Sequence, residues 1–228
     1  MTKRFESLDA AVDLLAEAQF YGTKLAAADR DAAAAYIARR QGAAGAYAGS
    51  FALTPEERAA GVRVFSGERM TSASARHIIG EESCRILRSL KGAKPGVKKA
   101  QQAAEKSMRE SFIRIIDGEG HPGVFCCGKC TAALWRNVAS GAFGDREKRF
   151  ADGMKYLKKM RKGGGEWQRF PFHYTLLALT EIGEPARAEL KYAAPVCERK
   201  LKRKPGADKY AQRRHDVMTR ALEIANGS

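Results

Sequence analysis

Apolar residues along this chain recur at helical intervals. Leu8, Val12 and Leu15 fall at i, i+4 and i+7, and Ser7 stands where an N-cap belongs. Residues 31–40 are rich in alanine, the best helix former. Thr54-Pro55-Glu56-Glu57 predicts a helix start. Thr54 can accept from first-turn amides, Pro55 suits the first helical position, and Glu57 can reach back to close a capping box. Over 74–90, Ile78, Ile79, Ile86, Leu87 and Leu90 make one broad apolar face, interrupted at Gly80. Gly92 and Pro95 break the chain, and a polar helix is predicted from there to about residue 116. Turn signals at Asp117-Gly118 and over 120–123 come next. Further helices are predicted at 129–138, 146–161, 172–181, 185–201 and 207–225, with Pro195 kinking or shortening its own.

No run of β-branched and aromatic residues alternates with period two over a useful length. The predicted fold is all-α, built of packed helical hairpins. One domain over 1–228 is expected, with a shift in composition near 90–95 marking a subdomain seam.

The composition agrees with a globular protein: 228 residues, 44% hydrophobic and 29% charged, with only 7 prolines, can bury a core. No stretch approaches the roughly 18 apolar residues of a membrane span. Asp9, Asp13 and Glu17 interrupt the N-terminal segment, as no secretory h-region would allow. Five cysteines, an odd number with Cys126 and Cys127 adjacent, do not make a disulfide framework, so a reducing cytoplasm is expected.

Charge changes the picture. The formal net charge is +15, and residues 1–90 hold 12 Lys/Arg against 11 Asp/Glu, so nearly all the excess lies in 91–228. Within that half the cations cluster: Lys91, Lys94, Lys98 and Lys99; then Lys155, Lys158, Lys159, Arg161 and Lys162. A third group, Arg199, Lys200, Lys202, Arg203 and Lys204, is followed by Lys209, Arg213 and Arg214. Such a field attracts polyanions, nucleic acid above all, and Lys98, Lys99, Lys158, Lys159, Lys202, Arg203 and Lys204 are the candidate anion surface. The bland alternative is a set of solvated helix faces. No zinc-finger spacing, RNA-recognition strand or basic heptad region is present.

Two segments 120 residues apart fall into ungapped register, Tyr36 to Tyr47 and Tyr156 to Trp167. Both read aromatic, aliphatic, three residues, a long polar side chain, three residues, Gly, one residue, aromatic. The matched positions are Tyr36, Gln41, Gly45 and Tyr47 against Tyr156, Arg161, Gly165 and Trp167. The pattern resembles the QW repeat of the terpenoid cyclase and protein prenyltransferase α/α-toroid superfamily. Tyr47 stands where that family has Trp, and Arg161 where it has Gln. The resemblance implies an α/α-repeat, partly toroid-like, in which the polar side chain staples neighbouring helices. Arg161 is expected to meet carbonyls or to stack on Trp167. The family's acidic Asp-x-Asp-Asp cluster and its zinc-holding Asp-x-Cys are absent, so the resemblance implies architecture and no catalysis.

Phe125-Cys126-Cys127-Gly128-Lys129-Cys130 is the most unusual local string. Cys127 and Cys130 have zinc-knuckle spacing, and Cys126 or His121, or else Cys84 or Cys197, could complete a tetrahedron. A helix beginning near Gly128 would instead put Cys127 at its N-terminus as a reactive thiolate. Packing of small, weakly polar side chains where a helix enters the core is the reading the string favours over either. Zinc is the one cofactor the sequence brings into view.

Trp135, Trp167, Phe172, His173 and Tyr174 are the candidate lining of an aromatic pocket. Three functions follow: a helical-repeat protein binding a small, largely apolar ligand; a nucleic-acid binder using 91–228; or a zinc- or thiol-dependent enzyme at Cys126–Cys130. His77 and Glu81-Glu82 could share a helix face, but no nucleophile is tied to them, and no catalytic set is legible.

Overall fold

The structure is a computed structural model that describes residues 5–117 and 121–227. It is all-α, with ten α-helices and one two-residue hairpin among the described residues. The predicted turn at Gly118 and Gly120 lies outside the described residues. No described helix is long and apolar enough to cross a membrane. The chain forms two compact units, one of residues 1–64 and 69–113, the other of 65–68 and 114–228. The single domain expected over 1–228 is thus two units, and the seam expected near 90–95 lies inside the first of them.

The first unit is built on α4 (Ser72–Ser89), where every residue from His77 to Leu87 is buried. Helices α1 (Leu8–Tyr21) and α3 (Pro55–Ala60) pack on it, and α2 (Ala27–Ala38) packs on α1. Gly80 does not interrupt α4. It lets the 42–53 loop approach, for a Cβ there would lie 2.4 Å from Ser50 Oγ. Ser7 caps α1 by accepting from the Ala10 amide, and Thr54 and Glu57 form the predicted capping box on α3. Strands β1 (Val62–Arg63) and β2 (Arg69–Met70) pair antiparallel, Val62 opposite Met70. Helix α5 (Pro95–Asp117) begins in this unit.

The second unit surrounds α8 (Phe172–Ile182), whose residues Tyr174 to Thr180 are all buried. Helices α6 (Gly128–Ala139), α9 (Arg187–Leu201) and α10 (Lys209–Asn226) pack on α8, and α7 (Arg146–Lys159) packs on α6 and α9. Pro195 does not end α9, which runs on to Leu201. The proline is exposed, as is Lys191, whose carbonyl it leaves without an intrahelical amide but on the solvent side of the helix.

The two copies of the sequence pattern each leave a helix and form an isolated antiparallel bridge, Gln41 with Phe51 and Arg161 with Trp167. Their side chains then differ. Arg161 makes a two-nitrogen contact with Glu189, at 3.1 and 2.8 Å, and its guanidinium also donates to the Ala188 carbonyl. It lies over the Tyr192 ring, at 4.2 Å, where the sequence suggested Trp167. Trp167 instead donates its Nε1–H to Glu189 at 2.9 Å. In the first copy Gln41 bonds only its own loop, at the Gly49 carbonyl, and the buried glutamate is reached by Arg40, which donates to Glu57 at 2.9 Å. Tyr47 stacks on His77 and Phe112.

Candidate functional site

Of the five aromatic candidates, Trp135, Trp167 and Tyr174 pack as core. Trp135 is wholly buried, its Nε1–H donating to the Gly123 carbonyl at 2.8 Å and its ring stacked on Phe170. Gly153 lies against the indole with no room for a Cβ, and Tyr174 packs under Arg136. These rings fill space where a pocket was expected. Phe172 and His173, in the first turn of α8, are half-buried, and His173 alone of the five lines the cleft described next.

That cleft, of about 680 Å³, is lined by Arg199, Lys200, Lys202, Arg203, Lys204 and Arg214, by His173 and His215, and by one carboxylate, Glu166. It forms because α9 ends at Leu201 and the chain turns back through Pro205 into α10. The five cations at 199–204 thereby face Arg214 and His215. Glu166 offsets little of this charge, being bonded to Lys162 at 3.0 Å. That bond, before any other influence, holds its carboxyl below the ordinary glutamate range. Burial, then Lys200 and Arg214, pushes His173 down to about 4, so its imidazole is neutral at pH 7. Its Nδ1 lies 3.9 Å from Glu68, which accepts from the Tyr174 amide at 3.1 Å. Two buried atoms here have no hydrogen-bond partner, His215 Nδ1 and Glu68 Oε2. Lys200 Nζ sits 5.8 Å from the centre of the Phe172 ring.

Within the second unit the expected anion surface is divided. Lys202, Arg203 and Lys204 line the cleft. Lys159 lines a smaller cavity of about 150 Å³ with His121, Asp152, Lys155 and Tyr156, and Lys158 is exposed nearby on α7. Lys98 and Lys99 are exposed on α5 in the first unit. Arg213, counted with the basic run in the sequence, is buried, its guanidinium over the Phe65 and Tyr210 rings. His215 was missed by sequence reasoning. Treating α9 and α10 as one hairpin would have brought it opposite the 199–204 cluster, whereas nothing in the sequence ties His173 or Glu166 to that hairpin.

Helix α6 begins at Gly128, and Cys127 is its N-cap, in extended backbone with φ −144°. Cys127 is exposed, Cys130 is buried, and their sulfurs are 3.6 Å apart. The Cys130 thiol, helped by the amides of Cys130 and Lys129, pulls Cys127 down to about 5, while Cys130 is raised by the same contact and by burial. Burial also raises Cys126. His121 is not with them: it packs on Tyr156, ring centres 4.7 Å apart. Cys84, beside Gln101 in the first unit, and Cys197, pushed up to about 12 by burial on α9, sit in packed surroundings. The first unit also holds a cavity of about 480 Å³ in which Leu15, Leu25, Ile86 and Leu90 alternate with Gln19, Thr23, Lys24, Arg30, Ser89 and Lys91.

No protein-family model, curated protein or solved structure matches this chain significantly.

Proposed function

We propose that this protein binds a polyanion, the phosphate backbone of a nucleic acid, in the cleft between the end of α9 and α10. The observation that carries this reading is the convergence of six cationic side chains on one concavity whose single carboxylate is already paired. Phosphate oxygens would find charge-assisted donors along 199–204, beside His215, whose Nδ1 lies 3.7 Å from Asp216.

The test is fluorescence anisotropy of a labelled single-stranded oligonucleotide on the full chain, with salt raised from about 50 to about 300 mM. Binding should weaken with a log–log slope of about −3 to −4, as expected if about five phosphates are neutralised. Reversing Lys202, Arg203 and Lys204 together to Glu should cost at least about tenfold in affinity and flatten that slope. Lys158→Glu with Lys159→Glu should cost less. Binding indifferent to salt, or unchanged by the triple reversal, overturns the reading.

The pH dependence has a definite sign. His173 is neutral when the cleft is empty, and a bound anion favours its imidazolium. Binding therefore takes up a proton, and affinity should rise as the pH falls from 7 toward 5, by about twofold if the anion raises the His173 pKa by about one unit and by about tenfold if it raises it by about two. Anisotropy at several pH values checks this, and His173→Gln should remove most of the rise.

A further inference from the structure

The turn entering α6 is built differently from a packing site. In a packing site all three thiols would be covered, yet Cys126 and Cys127 are exposed while Cys130 alone is buried. The turn is also rigidly fixed. Thr131 Oγ1 accepts from the Phe125 amide at 3.1 Å and donates to the Phe125 carbonyl at 2.9 Å. Gly128 is pressed on the backbone of Arg169, where a Cβ would come within 2.2 Å of the carbonyl oxygen. This close seat explains why glycine follows Cys127, and it holds the Cys127 backbone at the start of the helix. Cys130, one turn on, then comes within 3.6 Å of the Cys127 sulfur, and the Cys126 and Cys130 sulfurs lie within 4.8 Å. Closing the first pair to a disulfide of about 2.05 Å requires side-chain rotation and little backbone movement.

We propose that Cys127 and Cys130 form a thiol–disulfide exchange site, in which Cys127 attacks an accessible disulfide and Cys130 resolves the product. The Cys127 thiolate attacks one sulfur of the substrate R–S–S–R. A bond forms between Cys127 and that sulfur, the S–S bond of the substrate breaks, and one thiolate leaves and takes a proton from water. Cys130 then gives up its proton to water, and its thiolate attacks Cys127 Sγ. The second R–S⁻ leaves and is protonated in turn. The substrate disulfide is reduced to two thiols, and the Cys127–Cys130 pair is oxidised to a disulfide. A small dithiol restores the reduced pair by the reverse exchange. The exposed Cys127 receives the substrate, and the buried Cys130 is reached only from Cys127, so the order of attack follows from the geometry. The exposure of Cys127 at the surface suits small or peptide disulfides.

The experiment uses the full chain, reduced and desalted, with 5,5′-dithiobis(2-nitrobenzoate) as the disulfide probe. The expected result is a fast release of two equivalents of thionitrobenzoate, with peptide mapping placing a new disulfide between Cys127 and Cys130. Cys127→Ser should abolish the fast phase. Cys130→Ser should stop at one equivalent, leaving a stable mixed disulfide on Cys127. Cys126→Ser should leave the fast phase unchanged, and because Cys126 and Cys127 are exposed these two variants keep the test valid if Cys130→Ser fails to fold. A slow, equal reaction of all accessible thiols overturns the proposal, as does a fast phase that survives Cys127→Ser. A native mass carrying zinc, with reactivity appearing only after chelation, overturns it in favour of a metal site.

Discussion

Glu189→Ala is expected to destabilise the second unit by about 3–5 kcal/mol, the range for removing one partner of a buried ion pair. Glu189 is 2% exposed and lies in the first turn of α9. Its two oxygens accept from Arg161 Nε and an Arg161 terminal nitrogen, and one also accepts from the Trp167 indole. Alanine would leave the indole N–H facing a cavity with no acceptor and the guanidinium with only the Ala188 carbonyl and solvent. The loss is greater than that of a single hydrogen bond because the abandoned donors keep their desolvation penalty. Glu189→Gln, which retains one acceptor oxygen, should cost less than half as much. Both tryptophans, Trp135 and Trp167, belong to this unit, so urea unfolding followed by tryptophan fluorescence reports on it selectively. An alanine variant within about 1 kcal/mol of the parent would show that water replaces the carboxylate and that the staple is dispensable.

Glu57→Ala should have the second-largest effect, about 3 kcal/mol, and should act on the first unit. Here one carboxylate gathers three donors from separate parts of the chain. It accepts from the Leu8 amide at 2.5 Å, the Thr54 amide at 2.6 Å and Arg40 at 2.9 Å. Two of these are first-turn or cap amides that no carbonyl of their own helix can satisfy. Removing the carboxylate frees the start of α1 and the start of α3 together and leaves Arg40 only its bond to the Ala52 carbonyl. Hydrogen exchange read by mass spectrometry should therefore show lost protection in peptides covering α1 and α3, with those of α8 unchanged. Protection lost at α3 alone would mean that the Leu8 contact carries little of the load.

Several details were legible because they depend on neighbours in sequence. The capping box at Thr54 and Glu57, the Ser7 cap and the helical class of nearly every segment are local matters of hydrogen-bond supply and periodicity. The start of α6 at Gly128 was equally local, and it put Cys127 at the N-cap as one of the sequence readings required. Gly80 and Pro195 were misread for the same reason. Each breaks a local rule that tertiary context relaxes, Gly80 by close packing against Ser50 and Pro195 by facing water. The aromatic pocket failed differently. Pattern identifies Trp135, Trp167 and Tyr174 as large inward residues, yet whether such residues line a cavity or fill it depends on what packs opposite. Here Phe170, Gly153, Arg136 and Glu189 fill the space.

The sequence by itself determined that this protein is all-α, where most of its helices begin and end, that its positive charge lies after residue 90, and that three cysteines share one turn. Those properties reside in composition and in spacings of a few residues. Only the tertiary structure decided that the chain makes two compact units, that Arg40 and Arg161 each seek a buried glutamate, and that Arg213 is buried while its neighbour Arg214 faces a cleft. It also decided which lysines and arginines converge. A charge is spread along a sequence but acts through space, and its neighbours are set by how α9 turns back into α10.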